Sequence, residues 1–393
     1  MQIANKFIAL TLVILSYSCY APTAENMINV GTPIVEKPNI DSQEVKPGSS
    51  TPQEETSISP VAPKEQIPQT LNIIGVGDIM LGTNYPSAKY LPANKGRNLL
   101  KSVNGILKKA DVTFGNLEGT ILNKGPTIKH CKNCYAFRMP EYLADNLVTA
   151  GFDVVSIANN HARDFGQRGL KNTIKVLTKL NIESAGLLNR RETATFEKNG
   201  VKYGFAAFAP NVGTVDIRKI PRAKEIVQQL DQANDIVIVS FHGGAEGTAR
   251  QHVRRKTEYY YGENRGNVHK FAHAVIDAGA DIVFGHGPHV TRAVEVYNKR
   301  FIAYSLGNFC TYGRFSLRGA TGVAPIIDVE IKNGPSPETK GEFVKAKITP
   351  IRQIKNSRVV KGGNAISIIR KLTREDGFLT NITISKNGWI TYR

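Results

Sequence analysis

Residues 282–289 read Ile282-Val283-Phe284-Gly285-His286-Gly287-Pro288-His289, an apolar run that stops at two imidazoles. The run suits a buried strand, is too short for a helix, and is ended by glycine and proline. The same arrangement occurs four more times. Residues 73–76 lead into Gly77-Asp78, and residues 112–114 into Gly115-Asn116-Leu117-Glu118. Residues 154–157 lead into Ala158-Asn159-Asn160-His161, with Asp164 close behind. Residues 236–240 lead into Phe241-His242-Gly243-Gly244-Ala245-Glu246. In an α/β sheet the carboxyl ends of neighbouring strands open onto one crevice, so these five polar ends are expected to converge. Taken singly each reads as readily as packing, since a Gly-Asp after a strand is common and a lone buried histidine is usually structural. Together they resist that reading, because each polar end would otherwise need a partner of its own.

Between the strands the spacing predicts helices over 98–109 (Leu99, Leu100, Val103 and Leu107 on one side), over the segment from Pro140 to Gly151, over 166–180 and over 268–278. Hairpins are expected across Glu197-Lys198-Asn199-Gly200 and across Asn298-Lys299. The C-terminal part reads as richer in strand than in helix. Strands alternating with helices make the body an α/β domain, assigned to residues 71–393.

These blocks resemble the signature of the CapA family of capsule and poly-γ-glutamate synthesis proteins. The matching segments are Gly77-Asp78, Asn116-Leu117-Glu118-Gly119, residues 159–166 (NNHARDFG), His242-Gly243-Gly244-Ala245-Glu246, residues 285–290 (GHGPHV) and Ser305-Leu306-Gly307-Asn308-Phe309. That family is similar in turn to calcineurin-like metallophosphoesterases. The resemblance implies a two-sheet α/β/β/α sandwich with its site at the strand ends. It also implies a divalent metal centre of one or two ions (Mn, Fe or Zn) held by Asp78, Asn116, Asn160, His242, His286 and His289. Asn116 or Glu118 would stand where a bridging carboxylate is expected. His161 would be the general acid or the phosphate-contacting histidine, with Glu118 and Glu246 as acids or as groups orienting the imidazoles. Metals in such a site polarise the scissile group and activate water. Three positions depart from the pattern: Met80 stands where a second ligand is usual, Asn116 replaces an aspartate, and Gly287 replaces a histidine.

Other features read more plainly. Asp164 and Gly166 are expected to shape a loop and cap the helix beginning near Gln167. Asn308 either lines the crevice or satisfies backbone groups, and Tyr259-Tyr260-Tyr261 either stacks on sugar rings or packs. No Ser-His-Asp arrangement and no phosphate-cradling glycine loop stands out.

The N-terminus carries Lys6, an apolar run over 7–15 and Ser16-Tyr17-Ser18-Cys19, the pattern of a signal peptide over 1–19. Ser18-Cys19 resembles the end of a lipobox, with the aliphatic residue one place too far upstream. Ordinary signal-peptidase cleavage competes, though Pro22 spoils the nearby alanine sites. Residues 20–70, dense in Pro, Ser, Thr and Glu, cannot repay the entropy of ordering and read as a tether. The expected location is therefore the cell envelope, with a lipid anchor in a membrane. Cys131-Lys132-Asn133-Cys134 lacks a second CxxC to complete a zinc site, so a local disulfide is expected, with Cys310 left as a buried thiol.

A formal charge of +18 points to polyanions (nucleic acid, anionic lipid or an acidic polymer) or equally to solubility with weak attraction to anything anionic. No nucleic-acid motif accompanies it, and the resemblance implies an anionic extracellular polymer as partner. Two functions follow. The first is a metal-dependent hydrolase of phosphoester or related bonds at the envelope. The second is a non-catalytic protein that binds poly-γ-glutamate or a capsule-like polymer and assists a membrane synthase or export complex. A nucleotidase-like scavenger ranks below both, for want of a base-stacking cassette.

Overall fold

The computed structural model describes residues 69–130, 134–334, 336, 339–354 and 358–393. The expected leader, Cys19, the tether up to residue 68, and Cys131 lie outside them. Among the described residues no helix is long and apolar enough to cross a membrane.

The strand Thr70–Met80 organises the molecule. Its residues from Ile73 onward are buried throughout, because it has neighbours on both edges and packing on both faces. It runs parallel to Val112–Leu117 on one edge and antiparallel to Val323–Lys332 on the other. Beyond Val112–Leu117 the sheet continues in parallel through Val154–Ser156 and Glu183–Ala185. Beyond Val323–Lys332 it continues in antiparallel through Phe343–Ile354, Trp389–Tyr392 and Ile382–Ile384. Asn308–Thr311 adds to the far end of the first strand and Arg358–Lys361 to Phe343–Ile354, making ten described strands in this sheet.

A second sheet of six strands has a parallel centre of Val201–Phe208, Ile236–His242, Ile282–His286 and Arg300–Ala303. Its edges, Thr193–Lys198 and Val294–Tyr297, return through two-residue turns. Asn199 and Gly200 take φ of 54° and 74°, and Asn298 and Lys299 take 46° and 62°. These left-handed pairs match the twist of a tight hairpin, and the expected turns fall where the sequence puts them.

The inner faces of the two sheets meet in one apolar core that includes Ile73, Phe114, Phe205, Ile238 and Phe284. Phe114 and Phe284 stack with centroids 5.4 Å apart. Helices Asp145–Ala150 and Gly166–Lys179 cover the outer face of the first sheet, and Ile220–Ala233 and Val268–Ile276 that of the second. The architecture is the two-sheet α/β/β/α sandwich.

One expected helix is mostly absent. Within 98–109 only Asn104–Leu107 is α-helical, and the rest is tight turns such as Val103 N–H to Leu100 O at 2.9 Å. Asn98, Ser102, Asn104 and Gly105 are weak helix formers, and successive turns bury Leu99, Leu100, Val103 and Leu107 equally well. The helix Ile220–Ala233 was not anticipated, although Ala223, Ile226, Val227 and Leu230 keep helical spacing and Pro221 fits the first turn.

Candidate metal centre

Strand register brings the polar ends together. Asp78 lies beside Asn116 on one neighbouring strand and beside Asn308 on another, while His286 lies beside His242 in the second sheet. Gly77 makes the approach to Asn308 possible. A Cβ there would sit 1.9 Å from Gly307 O, the carbonyl that accepts from Asp78 N–H at 2.8 Å.

Asp78 is fully buried and engaged from three sides. Asn116 Nδ2 donates to Oδ1 at 2.8 Å, His289 Nδ1 lies 3.0 Å from Oδ2, and His286 Nδ1 lies 3.3 Å from Oδ1. Glu118 Oε1 lies 3.5 Å from both His242 Nε2 and His289 Nε2. Ligand atoms of Asp78, Glu118 and His289 all lie within 4.8 Å of one another.

The fit to a cation can be tested on what these groups lack. Both Glu118 oxygens, His242 Nε2, His286 Nε2, Asn160 Oδ1 and Asn308 Oδ1 are buried without a hydrogen-bond partner. Leaving even one such group unmade is costly, and native interiors seldom do so. Six such atoms call for a further group. Two carboxylates and three imidazoles are the donor set of a first-row divalent ion.

The electrostatics agree with a site built around charge. Burial opposes ionisation of Asp78, but the His286 and His289 imidazoles outweigh it and hold the carboxyl well below its usual range. Burial drives Glu118 well up, with His289 opposing and the Asp78 and Glu246 carboxylates adding. Burial, then the Arg265 guanidinium, drives His242 down. Burial also disfavours the His289 cation, yet Glu118 and Asp78 overcome it and push that imidazole up to about 10.

A second arm comes from the loop after Val154–Ser156. His161 Nδ1 lies 2.8 Å from Asp164 Oδ2, and Lys129 Nζ lies 2.5 Å from Asp164 Oδ1. The His161 ring packs on Phe137 at 4.2 Å. Together with His289, Glu246 and Arg265, this arm lines a cavity of about 960 Å³ that also takes in Arg314 and Tyr260.

The structure gathers Asp78, Glu118, His242, His286 and His289 into one cluster, with Glu246 at its rim, 3.9 Å from His289 Nε2. Asn160 and His161 stand on the shared cavity. Asn116 is placed differently from a ligand: its Nδ2 donates to Asp78, and its Oδ1 accepts from Asn159 Nδ2 at 3.1 Å. Met80 is buried in the strand and offers no ligand atom of this kind. Gly287 takes φ +114°, and a Cβ there would fall 2.6 Å from Gly243 O, so a histidine at this position would be forced against backbone. Asp164 does not cap the helix Gly166–Lys179, whose N-cap Phe165 makes no side-chain bond; it holds His161 and accepts from Phe137 N–H at 2.7 Å.

Asn308 satisfies backbone groups, donating to His289 O at 3.2 Å and Thr321 O at 3.0 Å, while its own side-chain oxygen is buried without a partner. Tyr261 is 93% exposed, which excludes packing as its role. Arg265, buried and 3.2 Å from Glu246, went unforeseen because it enters from a loop with no strand-end signal. Cys134 is held in a disulfide, its expected partner Cys131 lying outside the described residues, and Cys310 is buried.

Comparison with known proteins bears on this site. The chain is 27% identical over 317 residues to the capsule biosynthesis protein CapA of Bacillus anthracis, covering 72% of each chain. It is 26% identical over 345 residues to the PGA biosynthesis protein CapA of Bacillus subtilis (strain 168), covering 81% of this chain and 80% of that one. Among solved structures, a purple acid phosphatase from yellow lupin (Lupinus luteus) seeds superposes with a TM-score of 0.38 at 10% identity, over 74% of this chain and 54% of that one. That likeness is too loose to carry an argument, and the fold rests on the topology. The family described as bacterial capsule synthesis protein PGA_cap matches residues 72–312, a span that runs from the first strand past Asn308 and contains every residue of the cluster. With Asp78, Glu118, His242, His286 and His289 all inside the matched span, the chain belongs to the bacterial capsule synthesis protein family.

Proposed function

We propose that this protein is a metal-dependent hydrolase of phosphoester or related bonds in an anionic envelope polymer, acting within capsule or poly-γ-glutamate synthesis. The observation that carries the reading is the cluster of buried, unpartnered donors at the strand ends. Asp78, Glu118, His242, His286 and His289 would hold one or two divalent ions, with Asn160 and Asn308 contributing amide oxygens. A bound ion would supply Lewis-acid polarisation of the scissile group. His161, its Nδ1 engaged by Asp164, keeps Nε2 to contact a phosphoryl oxygen or, when the ring is protonated, to give that proton to the leaving group. Lys129 and Arg314 offer positive charge to the polymer backbone, and Tyr260 and Tyr261 offer rings at the rim. Arg265 holds Glu246 and, through burial beside His242, keeps that imidazole neutral and fit to be a ligand.

Asn116 supports a second reading. With both ends of its amide engaged, one carboxylate fewer faces the centre than a bridging aspartate would give. A protein that binds the polymer without cutting it, and assists a membrane synthase or export complex, accommodates that loss.

Purified protein should contain metal, and Asp78→Ala and His242→Ala should each lose the strand-end ion, with turnover of a generic phosphodiester in added Mn²⁺, while staying folded by circular dichroism. Full metal content in both variants would sink the hydrolase reading. Salt-sensitive retention of poly-γ-glutamate without turnover would favour the second.

For location, we infer export and acylation at Cys19, with a tether that ends by about residue 68 because Thr70 already pairs with Lys332, from the leader and lipobox-like sequence. Labelled palmitate should enter the wild type and be absent from Cys19→Ala; equal labelling would refute the anchor.

A further inference from the structure

On the outer layer of the second sheet, the helix Val268–Ile276 carries His269 and His273 one turn apart, the i, i+4 spacing that points two side chains the same way. Their ring centroids are 4.1 Å apart. Glu295, on the strand Val294–Tyr297, meets them: His273 Nε2 lies 3.0 Å from Glu295 Oε2. Ligand atoms of all three lie within 4.8 Å of one another.

The surroundings hold this arrangement in place. His273 stacks on Tyr297 with centroids 3.7 Å apart and planes 14° from parallel. The buried Tyr304 hydroxyl donates to Glu295 Oε2 at 2.6 Å, orienting the carboxylate. Among the described residues' hydrogen bonds, none uses the His269 ring.

We propose that His269, His273 and Glu295 form a second divalent-metal site, of zinc-binding chemistry, that shares no residue with the strand-end centre. Two imidazoles from one helical turn and a carboxylate from a strand are three of the four ligands a tetrahedral zinc takes, with the last place left to solvent. Presenting Nε2 to an ion requires the His273 proton to sit on Nδ1, so binding exchanges the His273–Glu295 hydrogen bond for two ligand bonds. Tyr304 stays on Glu295 as the outer partner that sets the carboxylate's direction. An ion here pins the helix to the hairpin of Val294–Tyr297 and Arg300–Ala303. This role differs from catalysis, and the site does not depend on the strand-end centre being active.

The test is zinc content of the full chain after equilibrium dialysis at pH 7.5. Each of His269→Gln and Glu295→Gln should bind one equivalent fewer than wild type, or bind it at least ~10-fold more weakly. Glu295→Gln keeps an acceptor for Tyr304, so its loss of zinc cannot be put down to a missing hydrogen bond. Asp78→Ala should retain this equivalent and lose it when His269→Gln is added. Equal zinc content and affinity in wild type, His269→Gln and Glu295→Gln would mean a hydrogen-bonded network alone and would overturn the proposal.

Discussion

Asp281 stands at the root of the strand Ile282–His286, at the opposite end from the imidazoles. It accepts from Val237 N–H at 2.8 Å, and Arg300 Nε lies 3.1 Å away. Burial pushes this carboxyl up to about 7, with Arg300 opposing. The folded state therefore keeps a proton that the unfolded chain releases near pH 4. Its contribution to stability is full below about pH 4 and is lost as pH rises through about 7. Asp281→Asn should flatten that part of the stability curve, read from urea midpoints at several pH values between 4 and 8; an unchanged slope would show that Asp281 does not set it. Asp281 was not legible in sequence, because a polar residue before a strand looks like any turn residue. Asp78, His242, His286 and His289 were legible, since each closes an apolar run whose length already marks it as a strand. Asn116 lay between: its place in the strand could be read, but its two amide bonds depend on Asp78 and Asn159 from other segments.

At the scale of elements, the loop after Ile236–His242 is fastened from below. Arg292 Nη1 and Nη2 each lie 2.8 Å from an oxygen of Glu258, both side chains are buried, and Glu258 Oε2 also accepts from Ala245 N–H at 3.0 Å. This fork ties the segment after His289 to the one that carries Glu246. Breaking one side leaves a buried, uncompensated charge, so Arg292→Met should cost about 3–5 kcal/mol in denaturant unfolding. Adding Glu258→Gln should return part of it, the mark of direct coupling. If Arg292→Met unfolds at the wild-type midpoint, the fork contributes nothing. Strands and hairpins could be read because their signals are local: apolar runs of fixed length, and Asn-Gly or Asn-Lys at turns. The segment 98–109 could not, since helix and consecutive turns bury the same leucines and only the packed neighbours choose between them. The Arg292–Glu258 fork spans 34 positions and leaves no periodic trace.

Over the whole molecule, the layer order followed from alternating strands and helices, whereas the pairing of the C-terminal strands had no sequence signal beyond alternation. That pairing has a consequence for how the chain can be divided. The family match ends at residue 312, yet Val323–Lys332 hydrogen-bonds along the first strand from Thr70 to Val76. A fragment spanning 69–312 would keep every donor of the strand-end cluster and still leave a long, apolar, unpaired flank on the strand that bears Asp78. It should precipitate or self-associate in size-exclusion chromatography where residues 69–393 run as a discrete species. On that outcome the matched span and the smallest self-sufficient body would be different lengths of chain, with Val323–Lys332 shielding the first strand from pairing edge to edge with another copy.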